Sequence, residues 1–116
     1  MNRSRLGAAG EQIAEQYLKS RGWRVLERNY RTKLGEIDLV CREKGTIVFV
    51  EVKTRTSSLY GEGTEAVNYS KQRKLYRLAQ EYLGSHRLES ADVRFDVLSI
   101  MFVSGQPTIK HIPGAF

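Results

Sequence analysis

Apolar residues follow two kinds of spacing along this chain, one helical and one with the period of two that belongs to β-strands. Helical spacing occurs over residues 6–18 and again over residues 75–83, where apolar side chains recur every three or four positions. Five other segments have strand character: WRVLERNY, GEIDLVCR, TIVFVEVKT, VRFDVLSIMFV and TIKHI. The pattern predicts an α/β protein with the element order α-β-β-β-α-β-β, in which TIKHI is a short edge strand.

Helix boundaries are predicted from glycine and from one candidate cap. The first helix should end at Gly22, although Gly10 is a weak helix former near its start. Ser70 is the predicted N-cap of the second helix, which should end near Gly84.

Between the third strand and the second helix, the segment RTSSLYGEGTEAVNY is rich in Ser, Gly and Thr and lacks periodicity. It is predicted to be a mobile loop, in which Tyr60 and Gly61 could touch a substrate or serve only as a tether. A chain of 116 residues usually forms one domain, so we expect a single domain over residues 1–116.

The stretch IVFVEVKTR, residues 47–55, begins as a buried strand and then becomes charged. Because strand side chains alternate between faces, one face carries three valines and the other changes from apolar to charged. This second face consists of Ile47, Phe49, Glu51 and Lys53. The charges lie toward the carboxyl end of the strand, where many α/β proteins place a site.

The hairpin that contains this stretch brings a second acid into register. Centring its reversal on Lys44 and Gly45 places Asp38 opposite Glu51, and directly opposed like charges are destabilising. A divalent cation would relieve the repulsion, and Mg²⁺, with Mn²⁺ as a substitute, takes such carboxylate ligands. The other predicted pairs are Glu43–Thr46, Val40–Phe49 and Glu36–Lys53.

Positive charge is concentrated in two segments, KSRGWRVLERNYRTK and KQRKLYR, in a chain of net charge +6. The aromatic residues Trp23, Tyr30 and Tyr76 lie in or beside them. Lysine and arginine that neutralise phosphates release counterions, so these segments suit a nucleic-acid backbone. The alternative is a solvated basic surface without a polyanionic partner.

Several function classes are disfavoured by residue content. Cys41 is the single cysteine, so no intrachain disulfide forms, and with His86 and His111 alone it makes no zinc-ligand cluster of the usual spacing. No segment approaches the ~18 consecutive apolar residues of a membrane span, and the amino-terminal segment reaches Glu11 before any signal-peptide-like apolar run. We expect a cytoplasmic protein with no membrane partner.

Asp38, twelve intervening residues and then Glu51-Val52-Lys53 resemble the signature of the PD-(D/E)xK nuclease superfamily. Further segments resemble the YraN family of small bacterial proteins over nearly the whole chain: GAAGEQIAEQYLKSRGW, RNYRTKLGEIDLV, FVEVKTR, RFDVLSI and HIPGAF, with the K and L of SKQRKLYRLAQEYL. The signature's proline is replaced by Ile37, which lowers the specificity of the motif but removes no chemical group.

The resemblance implies a restriction-endonuclease-like fold, similar to archaeal Holliday-junction resolvases, with a mixed sheet between helices. It implies a metal site on the hairpin, an active constellation of Glu11, Asp38, Glu51 and Lys53, and a homodimer. Asp38 and Glu51 would hold Mg²⁺, while Lys53 would orient the attacking water or bind the scissile phosphate.

Each residue also has a plainer interpretation. The two acids could be a solvated pair, Lys53 could pair with Glu36, and Glu11 could merely flank the core. Lys71 could contact phosphate or be an ordinary surface lysine, and Asp96 is interpreted as a structural acid that pairs with Arg94 across solvent. The predicted nucleic-acid contacts are Arg28, Arg31, Arg55, Lys71 and Lys74.

The sequence therefore predicts a Mg²⁺-dependent phosphodiesterase acting on DNA, an endonuclease with branched or junction DNA as a candidate substrate. The first alternative is a nucleic-acid-binding protein that keeps the fold and cleaves nothing. The second is an adaptor that docks on an acidic protein, which leaves the opposed acids unexplained.

Overall fold

The computed structural model describes residues 3–56 and 67–116, with side chains from residue 5, and contains two helices and five strands within those residues. The elements are α1 Arg3–Ser20, β1 Arg24–Thr32, β2 Gly35–Glu43, β3 Thr46–Arg55, α2 Tyr69–Ser85, β4 Asp92–Val103 and β5 Gln106–Ile112. The predicted order of elements is confirmed. Neither helix in these residues is long and apolar enough to cross a membrane. Residues 57–66 of the predicted loop, including Tyr60 and Gly61, lie outside the described residues.

The five strands form one sheet in the order β1-β2-β3-β4-β5. β3 and β4 run parallel over their whole paired length, from Thr46–Asp92 to Arg55–Met101, and the other neighbours are antiparallel. The sheet is therefore mixed, as expected, and β5 is an edge strand. Parallel neighbours cannot be joined by a tight turn, and α2 lies in the crossover between them.

The two helices cover opposite faces of the sheet, so the core has two layers. On the α2 side the helix contributes Leu75, Leu78, Ala79 and Tyr82, and the sheet contributes Val40, Ile47, Phe49, Phe95 and Val97. On the α1 side the packed residues are Ala14, Leu18, Trp23, Leu39, Cys41, Val48, Val50, Leu98 and Ile100. The predicted alternation along β3 is confirmed, because Ile47 and Phe49 face α2 while Val48 and Val50 face α1.

The cap of α2 differs from the prediction. Asn68 is the N-cap: its backbone is extended, and its side-chain oxygen accepts the N–H of Lys71 at 2.9 Å. Ser70, the predicted cap, lies inside the first turn. Asparagine is as good a cap as serine, and the helix begins early enough to use it.

The hairpin register is correct over the length at which the strands are paired. Glu43–Thr46 and Val40–Phe49 are partners as predicted, and the ladder runs as far as Leu39–Val50. The predicted Asp38–Glu51 and Glu36–Lys53 pairs fall beyond that last paired position. Beyond the Leu39–Val50 pair, a side chain and not the backbone of β2 accepts a hydrogen bond from β3: Asp38 Oδ2 accepts the Val52 N–H at 2.8 Å.

Asp96 pairs with Arg94 as expected, but the acid is fully buried, so the expectation that solvent surrounds the pair is wrong. Its carboxylate accepts hydrogen bonds from Arg94 Nε at 2.8 Å and Nη2 at 3.0 Å, and from the Gly114 N–H at 3.0 Å, and it lies 2.7 Å from His111 Nε2. Burial works to raise its pKa, but the hydrogen bonds from Arg94 and His111 lower it on balance. This buried acid therefore fastens the C-terminal segment to β4.

Gly10 allows α1 to approach the carboxyl half of β3. It is buried, and a Cβ at this position would overlap the side chain of Thr54 on β3. The weak helix former in α1 is thus explained by close packing, since only glycine leaves room for Thr54. The same approach brings Glu11, the next residue, to the end of the sheet that carries Glu51 and Lys53.

Replacing Gly10 with Ala should destabilise the protein by about 1–3 kcal/mol, because the added methyl group forces Thr54 or α1 to shift. Gly7→Ala is the matched control, since a Cβ at Gly7 meets no heavy atom within 4 Å. It should raise the unfolding free energy by about 0.5–1 kcal/mol through helix propensity. Thermal and urea unfolding measure both variants, and a Gly10→Ala protein as stable as wild type would contradict this packing.

Candidate active site

Glu51 is the centre of a charged site at the carboxyl half of β3, on the face that α2 covers. Only 8 % of the residue is exposed. Its surroundings on the core side are apolar and include Ile37, Leu75, Phe95 and Phe116. A carboxylate in such a place needs a cationic partner, because burial disfavours its charged form.

Two lysines supply positive charge to the same oxygen of Glu51. Lys71 Nζ, from the first turn of α2, lies 2.7 Å from Glu51 Oε1, and Lys53 Nζ, two residues along β3, lies 3.9 Å from it. Lys71 therefore makes the direct hydrogen bond, whereas Lys53 is at the outer limit of an ion pair. The alternative interpretation paired Lys53 with Glu36. In the structure Lys53 lies near Glu51, and Glu36 Oε2 is 3.4 Å from Arg31 Nη2.

Asp38 has no comparable cationic partner among the residues that the structure describes. Its Oδ2 accepts the Val52 N–H, but burial and the negative charge of Glu51 raise its pKa to about 7. The charges of Glu11 and Glu36 contribute smaller increases. The predicted repulsion between Asp38 and Glu51 is therefore present, although the two residues lie past the paired part of the hairpin.

The lysines perturb each other as well as the acids. Burial, followed by the charge of Lys71, lowers the pKa of Lys53. Burial also opposes the charge on Lys71, but its hydrogen bond to Glu51 raises the pKa of Lys71 overall. Lys71 is thus the ammonium group that is bound most firmly to the acid, and Lys53 is the one left with an unfavourable environment.

Glu11 borders the site without joining Asp38 and Glu51 in one cluster. Its Oε1 accepts a hydrogen bond from Asn29 Nδ2 at 3.0 Å. Asn29 has a positive φ of 49°, a conformation that asparagine tolerates better than most residues. Within the described ranges, no three His, Cys, Asp or Glu side chains are grouped so that they could hold a metal ion. The carboxylate of Glu11 is close enough to raise the pKa of Asp38.

The predicted nucleic-acid contacts lie in different surroundings. Arg28 is held by Glu15 through two hydrogen bonds, which together with Lys19 lower the pKa of Glu15 to about 2. Arg31 pairs loosely with Glu36, and Arg55 is half-buried at the end of β3. Lys71 faces into the site, while Lys74 lines an exposed groove of about 250 Å³ on the other side of α2 with Ser70, Arg73 and Arg77.

The contact between Lys71 and Glu51 was missed from the sequence. The available signal was helical spacing, because Lys71 stands one turn before the buried Leu75 and so points toward the sheet. The groove was also missed as a unit, although Ser70, Lys74 and Arg77 share one helical face.

The donor set of the site fits a divalent cation of the Mg²⁺ type. Such an ion takes hard oxygen ligands, usually one or two carboxylates with waters and substrate phosphate. Asp38 and Glu51 offer two carboxylates, and the pKa of Asp38 is raised by burial and by the charge of Glu51. Mn²⁺ suits the same ligands.

Replacing Asp38 with Asn should stabilise the metal-free protein at neutral and higher pH. The pKa of Asp38 is 3.8 as its ordinary value and about 7 in the fold, so the folded protein retains this proton after the unfolded chain has lost it. Wild-type stability therefore falls as pH rises from about 4 to about 7. Asp38→Asn retains an acceptor for the Val52 N–H and does not titrate, so it escapes this loss.

In EDTA the variant should melt close to wild type at pH 4 and at least ~4 °C higher at pH 8. Asp92→Asn, at an exposed acid that begins β4, is the control and should change little at either pH. Calorimetry or circular dichroism gives the melting temperatures. An Asp38→Asn protein that melts below wild type at pH 8 would contradict the prediction that the ionised Asp38 carboxylate destabilises the metal-free fold.

Comparison with known proteins identifies the family. A family model described as "Uncharacterised protein family UPF0102" matches residues 10–100. A UPF0102 protein of Alkaliphilus oremlandii is 48 % identical over 114 residues, covering 97 % of each chain. One from Geobacter metallireducens is 50 % identical over 111 residues, covering 96 % of this chain and 91 % of its own, and one from Syntrophomonas wolfei is 47 % identical over the whole of both. This chain belongs to the UPF0102 family.

Proposed function

We propose that this protein is a Mg²⁺-dependent endonuclease of the PD-(D/E)xK type, with YraN-like relatives, and that its substrate is DNA. One observation carries the proposal: Asp38 and Glu51 share a site with Lys53 and Lys71, and burial together with the charge of Glu51 raises the pKa of Asp38. A purely structural role does not explain why an acid with a raised pKa is kept in this place, because burial of its charge is destabilising. Perturbed acids gathered with cations are typical of active sites.

Phosphodiester hydrolysis requires neutralisation of the phosphoryl group, a nucleophilic water and stabilisation of the leaving oxygen. The bound cation supplies Lewis-acid activation of water and phosphate when Asp38 and Glu51 hold it. Lys53 is half-buried and lies 3.9 Å from Glu51 Oε1. In the proposed reaction it holds the scissile phosphate or the attacking water through its ammonium hydrogens. Apolar neighbours of Glu51 limit access of bulk water, which strengthens these interactions.

The outer face of α2 is the best-supported surface for the DNA backbone. Arg73, Lys74 and Arg77 line its groove with Ser70, and among the groove residues there is no acid. Tyr69 is exposed beside them, with the Arg73 guanidinium 5.9 Å from its ring centroid. A row of basic side chains can contact successive phosphates of a DNA backbone, and an exposed aromatic ring beside them can stack on an accessible base. Arg28 is less suited, since Glu15 already neutralises it.

A non-catalytic nucleic-acid-binding protein is the second candidate, and one observation favours it. The groove on α2 lies opposite the buried face of that helix, so its cations do not depend on Asp38 or Glu51. Binding without cleavage needs only this surface. The two candidates therefore differ in what the acids contribute.

Glu51→Gln should remove cleavage and spare binding. The amide keeps the shape of the side chain but is a poor ligand for the cation, so the rate of DNA cleavage in Mg²⁺ or Mn²⁺ should fall by about 100-fold or more. Affinity for DNA in metal-free buffer should stay close to wild type, because the backbone contacts lie on α2. Cleavage is measured on duplex, flap, single-stranded and four-way substrates, and binding by fluorescence anisotropy. If the wild-type protein cleaves none of these substrates, the endonuclease proposal fails and the non-catalytic nucleic-acid-binding protein remains as the candidate function.

Lys74→Ala combined with Arg77→Ala should weaken DNA binding by similar factors on different sequences. The dependence of log K on log salt should flatten by about two units, one for each lost phosphate contact. The control removes the same charge elsewhere, with Lys44→Ala on the β2–β3 turn and Lys110→Ala on the edge strand β5. An equal change of slope in both double variants would assign the effect to net charge and exclude α2 as the contact surface.

A further inference from the structure

The ion pair between Lys71 and Glu51 joins two residues of unequal freedom. Glu51 is 8 % exposed and stands in the middle of the sheet, whereas the Lys71 side chain is 40 % exposed and extends from the edge of the site. Glu51 cannot leave its position without disturbing β3. Lys71 can release the carboxylate and reach solvent through rotations of its own side chain.

Only the side chain of Lys71 has to move for its ammonium group to leave the Glu51 carboxylate. Its backbone N–H is bound by the Asn68 cap at 2.9 Å, and α2 is fixed to the sheet by Leu75 and Leu78 in the following turns. The helix can therefore stay in place while the ammonium group changes partners. The long lysine side chain is well suited to such a movement, because four methylene groups connect the charge to the backbone.

A divalent cation held by Glu51 Oε1 would compete with Lys71 for that oxygen. Lys71 Nζ is 2.7 Å from Glu51 Oε1, within the distance at which an ion held by that oxygen would repel the ammonium group strongly. Lys53 is already 3.9 Å from the same atom. The positive charge of a divalent cation, Lys53 and Lys71 together would exceed the negative charge of Asp38 and Glu51. A phosphate group is the kind of anion that would neutralise the excess.

Resting on the proposed function, we infer that Lys71 is an exchangeable counter-ion of Glu51. It neutralises Glu51 while the acids hold no divalent cation, and it transfers to a phosphate group of the substrate when the cation binds. Lys71 is thereby a positioning residue that couples metal binding to DNA binding. Because coupling is reciprocal, each ligand should strengthen the binding of the other by the same factor.

A structural salt bridge between α2 and β3 is the competing explanation, and it differs in its prediction for the coupling of the two ligands. In both explanations, loss of the Lys71 charge frees the Glu51 oxygen and tightens cation binding. If Lys71 merely fastens the helix, the gain in DNA affinity on adding Mn²⁺ is the same in Lys71→Met as in wild type. If Lys71 is the exchangeable counter-ion, that gain is lost in Lys71→Met, so a retained gain overturns the counter-ion role.

The test is a titration of the folded protein with Mn²⁺ alone, without DNA, by isothermal calorimetry. Lys71→Met and Lys71→Gln should both lower the Kd for Mn²⁺ by about tenfold, the effect of one removed charge close to the ion. Lys74→Met loses the same charge from the outer face of α2 and should leave the Kd at the wild-type value. Lys71→Arg keeps the charge and should not tighten binding.

DNA provides the second readout. In wild type, Mn²⁺ should tighten the binding of a phosphorothioate DNA duplex that resists cleavage. In Lys71→Met, the ratio of the DNA Kd without Mn²⁺ to the Kd with Mn²⁺ should shrink to near one. Unchanged or weaker Mn²⁺ affinity in both neutral variants, with wild type binding the ion, overturns the counter-ion role and leaves the proposed function standing. Failure of wild type itself to bind Mn²⁺ overturns both.

Discussion

The parallel pairing of β3 with β4 is the constraint on which the rest of the structure depends. Parallel neighbours require a crossover, and here the crossover contains α2, whose apolar face covers Ile47 and Phe49 of β3. That packing places the first turn of α2 beside the carboxyl half of the same strand, where Lys71 meets Glu51. The other face of β3 is closed by α1, whose approach depends on Gly10. The charged site exists because α1 packs against β3 while α2, which lies over β2, reaches Phe49 and Glu51 of β3 through its side chains.

Two aspartates, the buried Asp96 and the half-buried Asp38, show how differently one side chain can be used. Asp96 receives hydrogen bonds from Arg94 and Gly114 and lies 2.7 Å from His111, and its pKa is lowered despite full burial. Asp38 has the Val52 N–H and acidic neighbours, and its pKa is raised. The first acid is satisfied and holds the C-terminal segment in place. The second has a raised pKa because burial and the charge of Glu51 disfavour its ionised form.

Most of the fold was predictable from the sequence, and so were the acids of the candidate site. Secondary structure follows from local spacing, and the hairpin register follows from a short turn, so both are encoded within a few residues. The alternation in β3 alone identified Glu51 and Lys53 as neighbours of the α2-side core. The hairpin then brought Asp38 toward Glu51. The position of Ser70 as a cap was wrong because Asn68 offers an equivalent side chain two residues earlier.

By itself, then, the sequence determined the order of the elements, the faces of β3, the paired part of the hairpin and the presence of two basic segments. Only the tertiary structure decided which charged side chains are partners. Lys71 is bound to Glu51 across 20 residues of sequence, and Arg28 to Glu15 across 13. It also decided that Asp96 is buried and that the β2–β3 ladder ends at Leu39. The physical reason is that periodicity reports the direction of a side chain, whereas its partner is selected by the packing of elements distant in sequence.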